Sequence, residues 1–343
     1  MQFKAPRTLI NLFQHPAIII AWIIGLCGMI ANVTLLITIW KRYQATFKKG
    51  WFKKELKTVE LYIINLVFVD ILGATYLLII AVANTVYDVH DTRGKLPSSN
   101  FSNIFTNNSK PVSIVNRWGI HPLCNIARFL YFLSLTMSVL ITLLIAIERW
   151  LVVLGSLKTS EVNRTRARVI LILCWLFCIG KALYPFIRSI VVLDRVKNQT
   201  RSNLMLCLLA DPDISNVRYF NTINLNIFYI SYVLCILIYM LLLIKMHQAR
   251  KITLYNSKKP QVILAKTMAL ITVCNLFSNL PITIIIICRM RGLTIVFNPN
   301  FTHASAICIV LMFVSTISNP IIYINRNHQT TNRSQRRVRM RKL

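Results

Sequence analysis

The chain has 343 residues, of which 55% are hydrophobic and only 15% charged, yet its formal net charge is +30. That balance excludes most soluble enzymes. It also argues against a nucleic-acid binder, because the basic residues are divided among short segments between apolar runs.

About twenty consecutive apolar residues are enough to cross a bilayer as a helix. Seven such runs occur, over roughly 17–40, 59–83, 122–151, 169–193, 219–246, 265–288 and 302–324. The expected fold class is therefore all-α, a seven-transmembrane helix bundle, placed in the plasma membrane as a multi-pass protein. Residues 1–16 form a short extracellular N-terminus, 17–324 the bundle and 325–343 a basic cytoplasmic tail.

The first run is longer than the core of a signal peptide and is read as a retained span. Segments 41–57, 149–168, 245–266 and 325–343 hold 25 of the 40 Lys and Arg residues, and the segments alternating with them hold 12. Positive loops stay on the cytoplasmic side, so the N-terminus is expected outside and the C-terminus inside. The same rule lets the tail "RSQRRVRMRK" lie against anionic lipid. Four sequons, Asn100, Asn107, Asn198 and Asn300, then fall outside as glycosylation candidates, while Asn32, Asn163 and Asn332 carry the same pattern where no sugar could be added.

Polar residues inside the runs are expensive and therefore informative. Asn32 stands in the first, Asp70 in the second, Ser138 in the third, and Ser315 with Asn319 in the seventh. Gathered at one depth, they would make a cage of oxygens for water or for a small hard cation, for which sodium at Asp70 is the candidate. The alternative is that each bonds its own helix, which Ser and Asn do readily but a carboxylate cannot. Pro185, Pro281 and Pro320 each remove a backbone donor and are expected to bend the fourth, sixth and seventh spans. Of nine cysteines, most lie within spans. Cys124 and Cys207 lie near the outer surface, where a disulfide between them would tie the third helix to the loop after the fourth. Arg128, Lys181 and Arg188 lie toward the outer halves of the third and fourth spans, either meeting an acidic ligand group or reaching for lipid headgroups.

Taken in order, Asn32, Asp70, Cys124 with Arg149 25 residues later, Trp175, Pro185, Pro281 and "NPIIY" resemble the rhodopsin-like (class A) G-protein-coupled receptors. "ERW" at 148–150, "LCLLAD" around Cys207 and "AKTMALIT" at 265–272 are similar to the leucine-rich-repeat-containing branch, the glycoprotein-hormone and relaxin receptors. With about sixteen residues ahead of the first span, the large ectodomain of that branch is not expected here. The resemblance implies a receptor that passes an extracellular signal, from a ligand left unidentified, to heterotrimeric G proteins as the sixth helix swings outward. Glu148, Arg149, Tyr239 and Tyr323 would form its switch. No catalytic residues and no cofactor beyond the cation are implied, and the partners are the ligand, the G protein and the bilayer, not nucleic acid.

Three positions depart from the family pattern. Asn279 stands where the sixth-span tryptophan is expected, Asn275 where the branch has an aspartate, and Gln261 where it often has an acid. Loss of that acid would weaken a resting restraint on Arg149 and raise basal activity. The alternative is a non-coupling or truncated receptor-like protein. A seven-span transporter would need coupling charges at mid-membrane or repeat symmetry, and neither is visible.

Overall fold

The computed structural model describes residues 7–48, 58–93, 121–154, 164–191, 206–207, 215–250, 255–290 and 299–325. These residues form helices and no strand. The helices are α1 (Arg7–Lys48), α2 (Thr58–Arg93), α3 (Pro122–Leu154), α4 (Arg164–Val191), α5 (Ser215–Arg250), α6 (Tyr255–Met290) and α7 (Pro299–Leu311). The last passes through a 3-10 turn at Met312–Val314 and continues as helix over 315–325.

Six helices contain stretches long and apolar enough to cross a membrane: Pro16–Gln44, Thr58–Val86, Pro122–Leu151, Thr165–Ile187, Thr222–Leu242 and Ala304–Asn325. Among the described residues the sixth helix has a shorter apolar stretch, Ala269–Ile285, and Asn275, Ser278, Asn279 and Pro281 lie within it. The helices outrun the apolar runs. α1 begins at Arg7, inside the segment expected to be a short tail, and passes through Pro16. A helix satisfies its own backbone whether lipid or water surrounds it, so the edge of the apolar run does not have to be the edge of the helix.

Large apolar side chains cover the outside, among them Ile30, Trp40, Leu176, Tyr219 and Phe277. In water such a surface would aggregate, whereas in lipid it is the expected face. α3 is the hub, packed against α2, α4, α5 and α6, and α1 closes the bundle against α2 and α7. Close approach depends on small residues, as is usual between membrane helices. A Cβ at Gly28 would lie 2.6 Å from Thr316 Oγ1, and one at Gly73 would lie 3.0 Å from the Phe313 ring. Trp175 Nε1 donates to Asn65 Oδ1 at 3.0 Å, fixing α4 against α2.

All three expected prolines sit within helices, and α4, α6 and the seventh helix each continue past them. Pro320 has no N–H to offer the carbonyl of Thr316, one turn before it. Asn32 Nδ2 supplies the missing donor at 2.7 Å while also donating to Gly28 O at 2.8 Å. The proline on the last helix and the asparagine on the first are thus one structural unit.

Candidate functional site

Three polar groups lie along the interior. The first surrounds Arg149. Glu148 and Arg149 are buried, with Arg149 Nη2 3.4 Å from Glu148 Oε1. Adjacent residues on a helix point in different directions, so this pairing is loose, and Arg149 Nε has no hydrogen-bond partner among the described residues. Tyr239 of α5 is buried beside them, its hydroxyl close to Thr272 and Arg149. Tyr323 is buried within the same apolar cluster, on which Trp150 also packs. Glu148, Arg149 and Tyr239 are therefore neighbours, and Tyr323 belongs to the same buried cluster as Tyr239. Gln261 lies in α6, but its side chain is outside the described residues.

The second group is at mid-bundle. Asn319 Nδ2 donates to Asp70 Oδ2 at 3.0 Å, joining the seventh helix to α2. On the other side of Asp70 is a small cavity also lined by Ser134, Ser138, Ser315, Asn275, Asn279 and Tyr232. Of the residues expected to share a cage, Asp70, Ser138 and Ser315 line this space. Asn319 reaches it only through the carboxylate, and Asn32 is set apart on Thr316. Ser315 also bonds its own helix, at Met312 O, over 3.4 Å.

The cavity extends to α5 and α6, which the sequence reading did not include. Asn279 Nδ2 donates to Tyr232 Oη at 2.8 Å and to Asn275 O at 2.7 Å, and Asn275 Nδ2 reaches Thr142 Oγ1 at 3.4 Å. The Oδ1 atoms of both asparagines are buried without a partner among the described residues. One carboxylate, several hydroxyls and two amide oxygens are donors of the kind that a small monovalent cation such as sodium takes. Ser134 could have been noticed as one turn before Ser138. Tyr232 carried no signal, since tyrosine in an apolar run is ordinary.

The third group is at the opposite end. Cys124 and Cys207 form a disulfide across 83 residues. Cys207 has φ 53°, a left-handed conformation uncommon for a residue with a Cβ. Around it the short described segment is fastened twice more: Arg128 Nε donates to Cys207 O at 3.0 Å, and Tyr76 Oη to Leu206 O at 3.0 Å. Arg128 Nη1 also donates to Asn125 Oδ1 at 3.2 Å. Arg128 is thus committed to holding the loop. Lys181 turns inward, donating to Thr136 Oγ1 at 2.6 Å. The side chain of Arg188 and that of Asn300, in the first turn of α7, lie outside the described residues, as do Asn100, Asn107 and Asn198 altogether.

The profile of the 7 transmembrane receptor (rhodopsin family) matches residues 103–323, so the chain belongs to that family of receptors. It is a multi-pass membrane receptor of the plasma membrane with a disulfide between Cys124 and Cys207. The match begins after α2, so Asn32 and Asp70 lie outside it. No curated protein matches the chain.

Proposed function

We propose that the chain couples an extracellular ligand to heterotrimeric G proteins, with its N-terminus outside, the Cys124 end facing the ligand and the Arg149 end facing the cytoplasm. Its signalling step is an outward movement of α6, which frees Arg149 to meet the G protein. The observation that carries this reading is the buried Glu148–Arg149 pair at 3.4 Å beside Tyr239. A buried guanidinium held by one loose ion pair is poised, because a buried charge needs a better partner than this and an arriving protein can supply it.

Basal activity is raised in this reading. Gln261 provides at most a neutral hydrogen bond where the related branch often has an acid, and α6 is attached to α3 through the long Asn275–Thr142 contact. In this proposal the chain is similar to the leucine-rich-repeat-containing branch, in "ERW" and in the residues around Cys207. The sequons at Asn100, Asn107, Asn198 and Asn300 would be glycosylated, and sodium in the Asp70 cavity would favour the resting arrangement.

The test is second-messenger output in cells expressing the chain without ligand. Wild type is expected to signal above mock-transfected cells, Arg149→Ala to fall to the mock level, and Gln261→Glu to lie between them. Equal output from wild type and Arg149→Ala would favour the second reading, a receptor-like protein that does not couple. Unchanged basal output in Gln261→Glu would remove the account of raised activity.

A further inference from the structure

Lys181 is a cation within a span, and its surroundings are not those of a lysine seeking water. It lies six residues from the end of the stretch Thr165–Ile187, about 9 Å along a helix rising 1.5 Å per residue. A lysine side chain can cover most of that distance to reach the headgroups. Instead its ammonium bonds Thr136, near the middle of the stretch Pro122–Leu151, and sits 5.6 Å from the centre of the Phe228 ring. No carboxylate is within ion-pair distance of it among the described residues.

A second observation falls on the same seam. Asn224 of α5 is buried, and neither its Nδ2 nor its Oδ1 has a partner among the described residues. It stands one turn after Phe220 and one turn before Phe228, so the three side chains share a face of the helix. Phe220 stacks on Tyr184 of α4 at 4.8 Å, and Phe228 lies under Lys181. The backbones of α4 and α5 make no extensive contact among the described residues. The seam is bridged by these side chains instead, and Lys181, Tyr184, Phe220 and Phe228 are each only partly buried.

Among the described residues, a membrane cation without a counter-charge, an amide with both ends unused and partly buried aromatic side chains between two helices are complementary to one kind of molecule. We propose that the α4–α5 seam binds a single-chain lipid acid from the bilayer, its carboxylate on Lys181 and Asn224 and its hydrocarbon chain along the aromatic wall. The carboxylate supplies the charge that Lys181 lacks and accepts from Asn224 Nδ2, each a bond strengthened by ionisation. This goes beyond the receptor reading, and binding to the seam does not depend on coupling to a G protein.

The test uses the full chain in phosphatidylcholine nanodiscs, labelled with a fatty acid that carries a photoreactive diazirine. Labelling of peptides from α4 and α5 is expected, displaced by oleate but not by methyl oleate, which has the same chain without the charge. Lys181→Met should raise the oleate concentration needed for displacement roughly tenfold, and Asn224→Leu about threefold. Lys181→Arg should restore most of the affinity. Equal competition by methyl oleate, or wild-type displacement in Lys181→Met, overturns the proposal. Displacement of the label by chloride but not by gluconate overturns it in favour of a small inorganic anion. Should Lys181→Met fail to assemble, the methyl oleate comparison on the wild type and Asn224→Leu still decide.

Discussion

Among the buried asparagines of the bundle, Asn32 with Asn319 and Asn275 with Asn279 are used differently. Asn32 and Asn319 bind a freed backbone carbonyl and a carboxylate over 2.7 Å and 3.0 Å, acceptors that belong to other helices. Asn275 and Asn279 face neutral hydroxyls, and the contact from α6 to α3 is 3.4 Å long. The backbones also differ: Gly28 and Gly73 let α1, α2 and the seventh helix touch, whereas Phe277 of α6 points outward at 66% exposure. One side is a fixed frame and the other is held by contacts that can be exchanged at little cost. The proposed outward movement of α6 would draw on that asymmetry, since a bistable element works only when its two arrangements are close in free energy.

The comparison can be broken most severely at Gly28. Gly28→Leu would drive a side chain into Thr316 and should destabilise the protein by about 3 kcal/mol or prevent assembly, since overpacking a tight interface forces backbone movement. Loss of surface expression and a lower unfolding temperature in detergent would show it. Next, Asn32→Leu leaves the Thr316 carbonyl buried without a donor, a cost of about 2 kcal/mol. Pro320→Ala restores an N–H within reach of that carbonyl, so the double variant should recover about 1 kcal/mol relative to the sum of the single ones. Additive melting temperatures would separate the proline from the asparagine.

On the other side the effects should be smaller. Tyr232→Phe removes the acceptor for Asn279 and should cost about 1 kcal/mol in the same melting assay. Asn275→Leu gives up only a long hydrogen bond and removes a buried oxygen without a partner, so its expected effect is within about 0.5 kcal/mol of zero. A loss as large as that of Asn32→Leu would show that α6 is held as firmly as α1, and the contrast between the two sides would be gone.

The seven spans were legible because hydrocarbon demands long apolar runs, and Asn32, Asp70 and Asn319 stood out because polar groups there are costly. The ends of the helices were not legible, since nothing in lipid or water requires a helix to stop with its apolar stretch. The polar cavity was half legible. Asp70, Ser138 and Ser315 were named from depth alone, but its extension to Tyr232 depends on which faces of α5 and α6 turn inward, and residues apolar all round give no such direction. The disulfide partners could be singled out by their position. The hold of Arg128 on Cys207 O could not, because a backbone carbonyl leaves no trace in the sequence.

The bond from Asn32 to Thr316 spans 284 residues and so has a consequence for the order of synthesis. The ribosome delivers α1 into the membrane long before the seventh helix exists, and during that interval the amide of Asn32 cannot have its final partner. Its second bond, to Gly28 within its own helix, needs only α1 and is available from the start. Asn32 can therefore wait in lipid with one donor satisfied and complete its contacts when the last span arrives, which makes arrival of the C-terminal helix the event that seals the N-terminal one.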